Sequence, residues 1–171
     1  MKKINLLFLT VFIFGVLNIN ANANIEDLEK IYLEGGFEET NKALDEANAF
    51  FEKNIPLPTR LPNVAFTHTF ARFSTLGYPN LEICFFNENF GKTNYKIYIT
   101  SLEYKKKLEH KENISKVKLN DESEAIYLVE EYFSLFIFEK NKFQYTLMMD
   151  NENSESYKIQ DLIKIANSIK S

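Results

Sequence analysis

Between Ile25 and Lys53 the apolar positions recur every three or four residues, as Leu28, Ile31 and Tyr32 and then Ala43, Leu44, Ala47, Phe50 and Phe51. That is the helical period. Gly35-Gly36 breaks it, and since a glycine costs about 1 kcal/mol inside a helix, the pattern predicts a short helix before the pair and a longer one over about Glu38–Lys53. The longer helix carries its apolar residues on one stripe and should lie on a sheet. Ile55-Pro56-Leu57-Pro58-Thr59-Arg60-Leu61-Pro62 follows. Its prolines fix φ and lack amide donors, which predicts an extended connector, packed along the sheet edge through Ile55, Leu57 and Leu61.

Beyond the prolines the period falls to two. Strands are expected at about Val64–Phe73, Leu81–Glu88, Tyr95–Thr100, Val117–Leu119, Ala125–Val129, Tyr132–Glu139 and Phe143–Met149. Turn signals separate them at Gly77-Tyr78-Pro79-Asn80, Asn87 to Gly91, Asn120-Asp121 and Lys140-Asn141-Lys142, the last being the clearest hairpin. Connections this short imply antiparallel meanders, because a parallel crossover needs about a dozen residues. A final helix is predicted over about Ile159–Ile169, with Leu162, Ile163, Ala166 and Ile169 on its apolar face. Ser156 is its candidate cap, and Lys170 suits the negative end of its dipole. The predicted fold class is α+β, a curved antiparallel sheet of six or seven strands with N-terminal and C-terminal helices packed on one side.

The N-terminus adds a destination. Lys2 and Lys3 precede an apolar run from Leu6 to Leu17 and a small-residue site at Ala21-Asn22-Ala23. This is the pattern of a cleavable secretory signal over residues 1–23. The apolar run, about 12 residues, falls short of the roughly 20 needed to span a bilayer. Membrane contact is expected only through this segment, if it stays uncleaved. The remaining roughly 150 residues make one compact unit, with residues 24–54 its helical start and 55–171 its α+β body. An exported protein has no cytosolic ATP or NAD, and no cofactor is expected.

The formal charge of -4 becomes about -6 once Lys2 and Lys3 are gone, and the other lysines are interleaved with acids, so nucleic acid is not an expected partner. The run Lys105-Lys106-Lys107, with Lys111 nearby, sits among Glu103, Glu109 and Glu112 and reads as a solvated turn. Cys84 is the sole cysteine, so no intramolecular disulfide can form; its apolar strand setting predicts a small buried hydrophobe.

Residue types that carry chemistry are scarce. With two histidines, His68 and His110, one cysteine and no tryptophan, no zinc site of the usual kind can be assembled, and no HExxH, GxSxG, Walker or dinucleotide glycine pattern occurs. The carboxylate pairs at Glu38-Glu39, Glu130-Glu131 and Glu152 to Glu155 read as solvated acids, because a glycosidase pair needs a groove and one desolvated acid. Asp150-Asn151-Glu152-Asn153 lacks the central glycine and spacing of a calcium loop.

Aromatic abundance is the positive signal. Strand alternation puts Val64, Phe66, His68, Phe70 and Arg72 on one face, while Phe85-Phe86 and Phe136-Ile137-Phe138 place large groups on both faces. Either helices cover both faces or one lines a cavity or partner surface. The candidate lining is Phe66, His68, Phe70, Arg72, Phe85, Phe136 and Phe138, not all of which can face the same way.

The order of pieces, namely the Pro56–Pro62 segment, Ala125-Ile126-Tyr127, Leu135-Phe136-Ile137-Phe138-Glu139-Lys140, Gln144-Tyr145-Thr146-Leu147 and Asp161 to Ile169, resembles the DUF4367 family of spore-forming bacteria. That family is similar to the LolA-type lipoprotein carriers and to envelope sensors. The resemblance covers about Ile55 to Ile169 and implies a half-open antiparallel sheet over helices, a noncatalytic role, and a lipid, lipoprotein or envelope-protein partner. It carries no catalytic residue. The leading expectation is therefore an exported, non-enzymatic binding protein with an apolar ligand, lipoprotein or peptide on its curved sheet. The alternatives are an interaction module of the envelope or spore surface, assembled through Pro56–Pro62, and a small extracellular hydrolase with His68 as base and Glu82 orienting it.

Overall fold

A computed structural model describes residues 25–87, 95–106, 114–151 and 158–170. The expected signal segment, the Asn87–Gly91 turn beyond Asn87, Lys107, His110, Lys111 and Ser156 lie outside them. Helices α1 (Ile25–Glu34) and α2 (Thr40–Phe51) flank the Gly35-Gly36 break as expected, and α3 (Ile159–Asn167) closes the described chain. Between α2 and α3 run β1 (His68–Ser74), β2 (Asn80–Phe86), β3 (Tyr95–Ser101), β4 (Ile114–Lys118), β5 (Glu124–Val129), β6 (Phe133–Lys140) and β7 (Phe143–Asp150). A single 3-10 turn, Leu102–Tyr104, follows β3.

The seven strands form one open, curved antiparallel sheet in the order β1-β2-β3-β7-β6-β5-β4, and the fold is α+β. Two meanders, β1 to β3 and β4 to β7, meet where β3 pairs with β7. The chain therefore leaves β3 in mid-sheet for the far edge, a crossover that short spacings alone did not imply. The β6–β7 hairpin turns on Asn141 and Lys142, both at positive φ. That is the geometry of a two-residue turn whose twist matches its strands. Asn141 fixes it by donating to the Lys170 carbonyl at 2.7 Å.

Paired residues share a face of the sheet. One face carries Ala71, Ile83, Ile97, Leu147, Phe136 and Tyr127 in one row and Phe73, Leu81, Ile99, Tyr145, Phe138, Ala125 and Val117 in the next. These residues, with Ala43, Ala47 and Phe51 of α2 and Leu162, Ile165 and Ala166 of α3, form the main core. Small residues one turn apart on α2 let that helix lie close to the sheet, whereas none of the described side chains of α1 belongs to this core.

The proline-rich segment does not follow the sheet edge. It crosses the helix side of the sheet from the end of α2 to the end of α3. Ile55 is buried with its amide on Asn48 Oδ1 at 2.8 Å, and the Pro56 carbonyl accepts the Tyr145 hydroxyl at 2.8 Å above the central strand β7. Thr59 and Arg60 then bond the Ser168 carbonyl and hydroxyl at 3.1 and 3.2 Å. Without amide donors the prolines cannot extend a ladder, so the segment straps the two helices down instead.

Candidate functional site

The residues singled out in the sequence do not line one surface. Phe136 and Phe138 are fully buried on the helix side, against Tyr145 and one another. Phe66 and Phe85 join Tyr95 in an aromatic trio on that same side, with centroids 5.4 to 6.1 Å apart. His68, Phe70 and Arg72 stand on the opposite face, in register with Phe86, Cys84 and Glu82. Phe66 parts from them because β1 begins only at His68, so strict alternation does not reach back to it. The set therefore divides between the two faces, with Phe66, Phe85, Phe136 and Phe138 on one and His68, Phe70 and Arg72 on the other. On the helix side Phe136 and Phe138 are covered, while Phe66 and Phe85 are only partly buried.

On the opposite face the register sets Arg72, Glu82 and Tyr98 side by side on β1, β2 and β3, with Cys84 and Lys96 one row away. Glu82, only 6% exposed, accepts from Arg72 Nη2 at 2.8 Å, Lys96 Nζ at 3.0 Å and the Tyr98 hydroxyl at 3.2 Å; the Cys84 thiol lies 3.5 Å away. Arg72 also donates to the Gly35 carbonyl at 2.8 Å, and its guanidinium lies 4.5 Å from the Phe37 ring centre. Burial pushes the Glu82 carboxyl up, but Lys96 and Arg72 more than offset this and hold it below the usual range. Burial lowers Lys96, while Cys84 and Glu82 raise it by more. Burial pushes the Cys84 thiol up to about 12, with Lys96 opposing and Glu82 adding to the rise. Burial, with Glu82 beside it, raises the Tyr98 phenol too.

Glu82, Cys84, Lys96 and Tyr98 are thereby held in their neutral-pH states. A general acid or base works best with a pKa near the working pH. Glu82 as carboxylate, Lys96 as ammonium and Cys84 as thiol are far from that condition, and Glu82 does not orient His68. The His68 Nδ1 instead lies 2.8 Å from Thr67 Oγ1, and its ring stacks on Phe70. Among the described residues no cluster of His, Cys, Asp and Glu could hold a metal ion. Asn151 is committed to structure, since its side chain joins the Glu130 carbonyl and Ser134 hydroxyl.

A recess of about 310 Å³ opens where α2, the end of β3 and the 3-10 turn meet, lined by Phe50, Phe51, Glu52, Lys53, Ser101, Glu103 and Tyr104. Phe50 is 44% exposed and Tyr104 39% exposed, while Phe51 between them is buried. The Phe51 ring lies 6.4 Å from Tyr104, 5.3 Å from Phe50 and 5.8 Å from Phe143, so the recess floor is continuous with the core. Lys53 and Glu103 bridge its rim at 3.3 Å. The sequence held a signal for this site: adjacent phenylalanines on an amphipathic helix cannot both face the sheet. A signal for the Glu82 cluster lay in the alternating Lys96 and Tyr98 of an otherwise apolar strand.

No protein-family model, no curated protein and no solved structure matches the chain.

Proposed function

We propose that the chain is an exported, non-enzymatic binding protein of the cell envelope that engages the apolar part of a lipid, lipoprotein or envelope protein at its surface. The observation that carries this reading is that two partly exposed aromatic rings, Phe50 and Tyr104, line one recess whose other walls beside the buried Phe51, namely Glu52, Lys53, Ser101 and Glu103, are polar and include an opposite-charge pair. Exposed large apolar groups gathered at a concavity mark ligand or partner contacts, whereas scattered ones need no explanation. The burial of Phe136 and Phe138 in the core favours surface engagement over a ligand carried against those two rings. Export is supported by Lys2, Lys3, the apolar run and the small-residue site. The locked pKa values of the Glu82 cluster favour a non-enzymatic role over hydrolysis. Of the Pro56–Pro62 segment, the start is held inward by the Pro56 carbonyl on Tyr145, while Thr59, Arg60 and Leu61 are exposed.

Native mass spectrometry of the protein purified from its own culture medium tests the reading. A lipid-sized or peptide-sized adduct is expected on the native chain and absent from a folded Phe50→Ala/Tyr104→Ala variant. An adduct of equal occupancy on both, or a bare native chain that binds no envelope extract component, overturns the recess as the site.

A further inference from the structure

The α1 helix is attached to the molecule differently from α2 and α3. It lies on the sheet face they leave, and its described anchors are few. Tyr32 stacks on Phe70 at 4.5 Å and meets Phe37 edge-on at 5.1 Å, and the Gly35 carbonyl rests on Arg72. The described part of α1, Ile25–Glu34, is held to the sheet through these contacts. Just after it the chain is pinned: Glu38 and Ala71 exchange two backbone hydrogen bonds at 2.7 and 3.0 Å. Between helix and pin stands Gly36, at φ +78°, a left-handed position that glycine adopts without strain. A helix with few described anchors, a permissive glycine and a fixed point beyond it make a hinged flap.

Beneath the flap lies Cys84, 1% exposed, paired with Phe70 and beside Glu82. Its row continues through Lys96, Met148 and Leu135 across the sheet. The structure assigns to α1 and the Gly35-Gly36 turn the role of a lid that opens as a unit over this row while the seven-stranded sheet stays folded. Arg72 is the latch, because it bonds both the Gly35 carbonyl of the lid and the sheet carboxylate of Glu82. Opening trades the Tyr32–Phe70 stack for solvent but leaves Glu82 paired with Lys96 and Tyr98. Such local openings are drawn from elements with few buried apolar contacts. The surface bared is distinct from the Phe50–Tyr104 recess, so the lid stands or falls independently of the proposed binding function.

Cys84, the sole cysteine, is a built-in reporter. In the closed state its thiol is enclosed and protonated, so labelling by a maleimide requires opening. The full native chain is labelled across a urea series below the unfolding transition, alongside unfolding by circular dichroism. The lid predicts a labelling rate whose urea dependence is far shallower than that of global unfolding, and a rise of at least tenfold in Tyr32→Ala at unchanged sheet signal. Labelling that tracks global unfolding, or a folded Tyr32→Ala chain labelled at the native rate, overturns it. If Tyr32→Ala fails to fold, the native chain's urea dependence alone decides.

Discussion

Arg72 on β1 stands directly across from Glu82 on β2, and its Nη2 donates to Glu82 Oε2 at 2.8 Å. The carboxylate is nearly inaccessible while the guanidinium is partly exposed. The pair therefore sits at the boundary of a dry patch, with Lys96 supplying the second cation from β3. Glu82→Gln leaves both cations facing an amide that cannot balance them. Removing one partner of a buried ion pair costs about 3–5 kcal/mol, and partial exposure of Arg72 places this case at the lower end, about 3 kcal/mol. Urea unfolding followed by circular dichroism measures the loss, and a change below about 1 kcal/mol contradicts the network's role.

The same network fixes how stability depends on pH. Glu82 is held below its ordinary value of 4.5, so its contribution is complete above that value and lost as pH falls through the lowered folded one. Cys84 is raised, so its contribution is complete below its ordinary value of 9.0 and is lost as pH rises toward about 12. The two shifts predict a stability plateau from about pH 5 to pH 9. Cys84→Ala should remove part of the alkaline decline without touching the acid limb, whereas Glu82→Gln should remove the acid limb and also alter the alkaline decline, because Glu82 helps raise Cys84 and Tyr98. Thermal unfolding across pH in the three chains reads both limbs; superimposable profiles count against the assignment.

Much of the fold was legible because its signals are local. The double glycine and the Lys140-Asn141-Lys142 turn reflect constraints that residues place on their own backbone and sit where expected, whereas the first strand begins at His68 and not at Val64. What was not legible is non-local. Nothing in the spacing of Thr100 and Val117 says that β7 takes the place beside β3, and nothing local says that Pro56 lies over Tyr145. The site suffered most from this. Phe136 and Phe138 look identical to ligand-lining aromatics until the helices that cover them are placed, and Glu82 acquires its partners only through the strand register.

The strap offers a direct check of such a non-local contact. The Tyr145 phenol, raised by burial, spends its proton on the Pro56 carbonyl at 2.8 Å. Tyr145→Phe keeps the ring stacked on Phe138 but leaves that carbonyl without this donor, an effect of about 1–2 kcal/mol. Hydrogen exchange should show the Ile55 amide, bonded to Asn48, losing protection more than amides of β3. Equal protection in both chains means the strap is held by its apolar residues alone.

Phe50 and Phe51 are sequence neighbours with opposite roles, and their alanine variants should separate accordingly. Phe51, 7% exposed, contacts the rings of Phe73, Tyr104 and Phe143, so truncation opens a cavity between α2 and the sheet. The expected loss is about 3–5 kcal/mol. Phe50 touches Phe51 and Phe73 with part of its ring and keeps 44% of its surface in water, so Phe50→Ala should cost only about 1 kcal/mol. Chemical denaturation of the two variants measures the gap. A gap of that size shows that Phe50 is held at the surface by the helix rather than recruited by the core. Binding lost in Phe50→Ala can then be attributed to the recess and not to unfolding. Near-equal losses instead place both rings in the core and remove the recess as an independent feature of the surface.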